Sequence, residues 1–314
     1  PGLSGVISVS AACEYHIALR SDSTVWSWGS NEYGGLGNGS RADSDLPVQA
    51  EGLSGISAIA GGSDHTLALK SDGTVWTWGN NSFGQIADGT KNNEISKNDP
   101  DNDQLIPVQV PGLTKIRQIA ASRGHSLALA NDGTVWAWGR NDLGQLGDGT
   151  DQERFTPVQV RDPEGAGLLT DITMIAAGGS YGGNSAAIRS DGTLFLWGDN
   201  YNGQLGDGSE ETRLLPGIVY GITGVKAVAI GGQHVIALKT DGTVWAWGDN
   251  NDRQLGIMTD NDIITPVQIP KLSGIKAIMA GGAHNAAIDE KGLVFIWGDD
   301  SYGQLGDGTM ACHL

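Results

Sequence analysis

The chain has 314 residues, 49 of them glycine and ten tryptophan, with a formal net charge of −17. A surface that acidic repels phosphate backbones and anionic headgroups, so nucleic acid is not an expected partner, and no apolar run is long enough to span a bilayer as a helix. No basic stretch leading into an apolar segment marks a signal peptide at Pro1.

The dipeptide Trp-Gly recurs at Trp28, Trp78, Trp138, Trp197, Trp247 and Trp297, at intervals of 50, 60, 59, 50 and 50 residues. Such self-similarity marks a repeat architecture. It divides a single domain, residues 1–314, into six repeats at about 1–51, 52–111, 112–167, 168–220, 221–270 and 271–314. The second repeat shows the internal order most clearly. Ile56–Ala60 is a short apolar run, followed by Gly61-Gly62 and by the strand-like His65–Leu69. Asp72-Gly73 between apolar runs predicts a hairpin with a type I′ turn, repeated at Asp132-Gly133, Asp191-Gly192 and Asp241-Gly242. Val75–Trp78 alternates as a strand does, and residues two apart share a face, so each repeat presents a pair of large rings to one side. A loop with Gly84-Gln85 and Asp88-Gly89-Thr90 leads to Pro107-Val108-Gln109, where proline opens an edge strand. About four strands per repeat and no helix follow. Such a unit cannot bury its aromatic face alone, whereas stacked neighbours can, which predicts an all-β fold, a β-propeller of four-stranded antiparallel blades.

The runs Ile59–Leu69 and Gly73–Asn81, with Gly84-Gln85 after them, resemble the repeat of the RCC1 (regulator of chromosome condensation) family. The resemblance covers the chain and implies an RCC1-like propeller whose ring is closed by strands from both ends. Family members usually have seven blades; six are counted here, and seven remains the alternative. The near-identical repeats look most like bacterial and archaeal RCC1-like proteins, which implies an extracellular or cell-surface setting, with a cytoplasmic one as the alternative. Because the family carries very different activities, function has to come from the site.

Departures from the repeat are the candidate sites. In the first repeat, Cys13 stands near one end of the chain and Cys312 near the other, a pair open to two readings: a disulfide across the closure, or free thiols. Tyr33, Phe83, Leu143, Tyr201 and Tyr302 fill a loop position near Gly-Gln, where a row of such side chains makes a partner-binding platform, or else packs between blades. The insertion Lys91–Leu105 contains Asp99, Asp101 and Asp103, an alternation like the first half of a calcium loop, although the expected glycine and distal glutamate are missing. Further insertions lie at Arg161–Thr170 and Tyr181-Gly182-Gly183. In the fifth repeat Asp252-Arg253 replaces aromatic-Gly, and Ile257-Met258 replaces Asp-Gly as a second candidate contact. The sixth repeat has no Pro-Val-Gln run.

His65, His125, His234 and His284 occupy one position of four repeats, with Tyr15 and Asn184 in the other two; a position repeated so often reads as structural, closing the Gly-Gly turn. Asp148, Asp207 and Asp307 read as turn residues rather than as acid–base catalysts. No nucleophile elbow, zinc motif or phosphate loop is present. The expected function is a non-catalytic, monomeric binding scaffold for a protein or ligand partner, with no cofactor beyond calcium. The alternatives are a nucleotide-exchange regulator of a small GTPase, a hydrolase or lyase with a site on one propeller face, and an architectural module of a larger surface protein.

Overall fold

In the computed structural model, residues 2–91, 102–180 and 183–308 are described. They form an all-β chain of six antiparallel sheets in sequence order, the blades of a six-bladed β-propeller, with no helix among the described residues. The first blade is β1 (Val6–Ala11), β2 (Tyr15–Arg20), β3 (Val25–Gly29) and β4 (Ser44–Gln49). The second is β5 (Ile56–Gly61), β6 (His65–Lys70), β7 (Val75–Gly79) and β8 (Gln104–Gln109), and the third β9 (Ile116–Ala121), β10 (His125–Ala130), β11 (Val135–Gly139) and β12 (Arg154–Gln159). The fourth is β13 (Ile172–Gly178), β14 (Asn184–Arg189), β15 (Leu194–Gly198) and β16 (Arg213–Ile218); the fifth β17 (Val225–Ile230), β18 (His234–Lys239), β19 (Val244–Gly248) and β20 (Ile263–Gln268). The sixth has three strands among the described residues, β21 (Ile275–Ala280), β22 (His284–Asp289) and β23 (Val294–Gly298). Two compact halves divide these blades, Pro1–Asp142 with Thr150–Val160 and Leu168–Thr170 in one, and Leu143–Gly149, Arg161–Gly167 and Asp171–Leu314 in the other.

One expectation about turns is corrected. Asp72-Gly73 does not form a type I′ turn: Gly73 lies at positive φ and Asp72 does not. Gly73 donates to the Lys70 carbonyl and Lys70 to that of Thr74, which makes a turn followed by a left-handed glycine, the three-residue hairpin with a bulge. The aspartate has another task. Its Oδ1 accepts from both the Thr74 amide and the Thr74 hydroxyl, at 2.9 and 2.6 Å, and so clamps the turn. Pro107, expected at the start of a strand or on an edge, lies inside the edge strand β8, where the register slips between Thr77 and Gly79. A residue without an N–H is tolerated there because β8 is the outermost strand and the ladder is already broken.

The core consists of layers between consecutive blades. Trp78 is buried with Ile17, Leu19, Val25 and Leu36 of the first blade, and Trp138 with Leu67, Leu69 and Val75 of the second. In the other half Trp247 and Trp297 bury against the fourth and fifth blades in the same way. Each buried ring also has a polar anchor. The Trp78 indole donates to the Gly35 carbonyl at 2.8 Å, and Trp138, Trp197, Trp247 and Trp297 donate to the carbonyls of Gln85, Gln145, Gln204 and Gln254 at 2.9 Å. The other tryptophan of each pair is less buried; the Trp76 indole has no acceptor, and its ring lies under the Lys70 ammonium at 5.4 Å.

This difference predicts opposite mutational responses. Trp78→Phe loses a buried bond and leaves a cavity, at a cost of about 2–4 kcal/mol in denaturant unfolding. Trp76→Phe removes an unanchored donor and changes stability by less than about 1 kcal/mol. Equal losses would contradict the anchoring role of the repeated indole.

Candidate functional site

The loop after the third strand carries most candidate residues, and side-chain amides hold its shape. In the second blade Asn81 Oδ1 accepts from the Ile86 amide at 3.2 Å, and its Nδ2 donates to the Thr90 carbonyl at 3.2 Å. Gln85 Oε1 accepts from the Phe83 amide at 2.8 Å while Nε2 donates to Asn80 Oδ1 at 2.9 Å. Asn31, Asn200 and Asn250 accept in the same way, as do Gln204, Gln254 and Gln304 through Oε1, and Gln254 and Gln304 also donate through Nε2. A tight turn precedes the glutamine, or Gly35 in the first blade, with Gly34, Gly84, Gly144, Gly203 and Gly303 at positive φ. In the fifth blade Arg253 takes this place at φ 60, and its Nε reaches Asp260 at 3.0 Å.

The structure separates the aromatic candidates. In the first half Tyr33 is half-buried among Glu14, Glu32 and Asp64, where burial and then neighbouring carboxylates hold the Asp64 carboxyl above its ordinary range. Phe83 is half-buried beneath the Arg140 guanidinium, 5.4 Å from its ring. In the other half Leu143 is half-buried, whereas Tyr201 and Tyr302 are 69% and 90% exposed. The Ile257-Met258 pair splits. Ile257 joins the apolar layer between the fifth and sixth blades, and Met258 is 89% exposed. Sequence reasoning missed Tyr220, exposed beside a depression of about 420 Å³ that Pro163 and Glu164 of the second insertion share with Leu214. The only signal for it is an aromatic residue just past a strand end.

Of the calcium candidates, Asp99 and Asp101 lie outside the described residues. Asp103 is engaged already: Oδ1 accepts from the Asn81 amide at 3.0 Å, and Oδ2 meets the Arg41 guanidinium at 3.0 Å. Asp43 and Asp262 accept from Asn31 and Asn250 in the same way, which makes this a repeated capping position. Among the described residues no three His, Cys, Asp or Glu side chains are grouped to hold a metal. Cys13 is exposed, and Cys312 lies outside the described residues, as do Tyr181, Gly182 and His313. His16 packs against Trp28 in a tilted arrangement, with ring centroids 5.6 Å apart.

Asp207 accepts from the Ser209 amide and hydroxyl at 2.9 and 2.7 Å and pairs with Arg213 at 2.6 Å, as a turn residue does. At the histidine position the imidazoles of His65 and His234 bond the next blade rather than the local Gly-Gly turn. His65 Nε2 lies 2.9 Å from Ser126 Oγ on the next blade, and His234 Nε2 lies 2.8 Å from Asn285 Oδ1. In the first blade Tyr15 reaches Thr66 at 2.9 Å. Each partner directly follows the next blade's residue at the histidine position. Thr66, Ser185 and Asn285 also donate to the loop carbonyls of Gly35, Gln145 and Gln254, the same atoms that the indoles use.

Burial lowers the pKa of His65 to about 4, of His125 to about 3 and of His234 to about 4. In the unfolded chain these groups titrate near 6.5, so between about pH 6.5 and 4 the unfolded state binds protons that the folded state refuses. Stability is therefore full above about pH 6.5 and declines as pH falls toward 4, by on the order of 3 kcal/mol per histidine. Unfolding free energies at pH 7.5 and 4.5 should show this fall, and His65→Gln should reduce it. An unchanged pH slope in that variant would remove His65 from the account.

The sequence model of the regulator of chromosome condensation (RCC1) repeat matches residues 22–69, 72–129, 132–182, 191–238 and 241–288. The ultraviolet-B receptor UVR8 of Arabidopsis thaliana is 34% identical over 213 residues, covering 67% of this chain and 45% of that protein. The human E3 ubiquitin-protein ligase HERC2 is 36% identical over 143 residues, 44% of this chain and 3% of that one. The chain thus spans less than half the length of these curated relatives. Human WBSCR16 superimposes with a TM-score of 0.84 at 24% identity, over 99% of this chain and 81% of its own. Yeast RCC1 (Prp20), solved bound to Kap60, gives 0.80 at 23% identity, over 98% and 73%. At these identities the two structures speak for the fold alone.

Proposed function

The chain belongs to the RCC1 repeat family, and from that premise we propose that it is a non-catalytic binding scaffold for a protein partner, engaged through the third-strand loops of its second half. One observation carries the reading. Tyr201, Met258 and Tyr302 stand exposed on the corresponding loops of three successive blades, while the loop backbones beneath them are held by asparagine and glutamine amides. Large side chains on a rigid base lose little freedom on binding, which favours contact surfaces of this kind. The net charge of −17 favours a partner with a basic surface. Family precedent supports a protein partner: Prp20 was solved bound to Kap60, and its binding to Gsp1p and to histones is described. An extracellular or surface-displayed setting, and calcium at the Asp99–Asp103 insertion, belong to the same proposal and rest on the sequence.

Affinity capture tests it. The immobilised chain should retain a specific protein from extracts and medium of its source, in calcium and in chelator. The combined variant Tyr201→Ala, Met258→Ala, Tyr302→Ala should weaken that retention at least about tenfold, a loss of roughly 1.4 kcal/mol or more. Phe83→Ala, on the other half, should not. Retention unaffected by the triple variant would move the binding surface elsewhere, and loss in chelator would give the insertion a calcium-dependent role.

A further inference from the structure

The hairpin between the second and third strands carries a cation, a carboxylate and a ring in most blades. The cation ends the second strand, and it lies over the outer aromatic ring of the third. Arg20 stands over Trp26 at 5.8 Å, Lys70 over Trp76 at 5.4 Å, Arg189 over Phe195 at 4.6 Å and Lys239 over Trp245 at 5.5 Å. The same cation reaches the turn aspartate two residues on. Arg20 Nη1 lies 2.9 Å from Asp22 Oδ2, and Lys239 Nζ lies 3.3 Å from Asp241 Oδ2. The other oxygen, Oδ1, is already engaged by the hydroxyl of Thr24 or Thr243. Ring and carboxylate together therefore make a seat for one positive charge.

The sixth blade exchanges the charges, with Asp289 at the cation's place and Lys291 at the carboxylate's. The third blade keeps Asp132 and Trp136 but has Ala130 where the cation belongs. Asp132 Oδ1 accepts from the Thr134 amide and hydroxyl at 3.0 and 2.7 Å, as in the other turns. Among the described residues, Asp132 Oδ2 has no partner and no cation lies over the Trp136 ring. Where a longer side chain at position 130 would run, a cleft of about 530 Å³ opens against Ala130, Asp132, Trp136 and Gln159. One cation lines it, Lys115, at φ 58 where Gly55 and Gly224 stand in the second and fifth blades. Lys115 forms no ion pair with Asp132 among the described residues. The Thr134 hydroxyl, and then its amide, hold the Asp132 carboxyl below its ordinary range, and the charge of Lys115 adds least.

We propose that this cleft binds a ligand through an alkyl guanidinium or ammonium group, seated over Trp136 and donating to Asp132 Oδ2. The group takes the position that Lys70 and Lys239 occupy in their own blades. Its alkyl stem lies along Ala130, where those side chains have theirs. A single contact of either kind is weak at an exposed site, so one such group binds in about the millimolar range. A ligand with several positive charges gains further from the net charge of −17. The cleft belongs to the first half, at the end of β11 away from the third-strand loop, and is independent of the loop surface of the second half.

The probe is butylguanidinium, titrated onto the full chain while the Trp136 indole N–H is followed by NMR. That signal is assigned as the one lost in Trp136→Phe. A saturable shift is expected, and none with butylurea, which has nearly the same shape without the charge. Ala130→Lys gives the third blade the residue of the second and fifth and should abolish binding. Asp132→Asn keeps an acceptor for Thr134 and should weaken binding roughly threefold or more. Lys115→Gly, which also relieves a positive φ, should bind at least as tightly as the unaltered chain. A blocked arginine, acetylated and amidated, separates the sources of the group: tighter binding than butylguanidinium supports a protein side chain, and equal binding a free amine or guanidine. No saturable shift up to about 50 mM would overturn the proposal, as would equal affinity for butylurea. Binding that survives Ala130→Lys unchanged would overturn it as well. Weaker binding to Lys115→Gly would show that the cleft selects through Lys115, and would overturn it too.

Discussion

One hydrogen bond recurs in the second to sixth blades: an indole N–H donating to the carbonyl of a residue in the preceding loop. It joins residues 43 to 53 positions apart, among them Trp78 with Gly35 and Trp138 with Gln85. A tryptophan buried without an acceptor is costly, so the carbonyl must point at it. Outside the first blade, where it is Gly35, that carbonyl belongs to a glutamine such as Gln85, whose side-chain amide in turn shapes the loop. Loop shape and blade stacking are therefore one constraint. The tyrosine or histidine contacts add a second thread to the same atoms: Tyr15 bonds Thr66, and Thr66 donates to the Gly35 carbonyl that accepts from Trp78.

This constraint decides where function has room. The loop asparagines and glutamines, the turn aspartates and the inter-blade histidines are taken up in holding the repeat. The turn aspartates Asp72, Asp132, Asp191 and Asp241 are kept below the usual carboxylate range, chiefly by the hydroxyl of the threonine two residues on. His65, His125 and His234 stay neutral at physiological pH because burial opposes the charged form. What is left for recognition is the set of side chains that point off the framework, and their character differs between the halves. Phe83 is covered by Arg140, while Tyr201, Met258 and Tyr302 reach solvent.

The fifth blade and its neighbour concentrate the exceptions. Arg253 holds a left-handed backbone position that glycine takes elsewhere, Ile257 turns into the apolar layer, and Met258 turns out beside the edge of β23 that no described strand pairs. A left-handed non-glycine residue costs on the order of 1 kcal/mol or more and persists only where its surroundings support it. Arg253, Ile257 and Met258 belong to one loop, which is why the departures from the repeat there read together.

Much of the fold was legible in the sequence because the information is local and periodic. The Trp-Gly spacing, the alternation in Val75–Trp78 and the Asp-Gly hairpins each lie within a few residues, and two-residue periodicity assigns a face without knowledge of the partner. What faces what was not legible. Whether His65 bonds a local amide or Ser126, and whether Phe83 is free or lies under Arg140, depend on residues brought near by stacking. The same holds for Ile257 and Met258, adjacent in sequence and opposite in environment. The sequence by itself determined the repeat, its strands and the aromatic pair that each blade must bury. Only the tertiary structure decided which polar groups anchor those rings and which loop side chains remain for a partner. Those outcomes turn on contacts between blades about fifty residues apart, which no local pattern encodes.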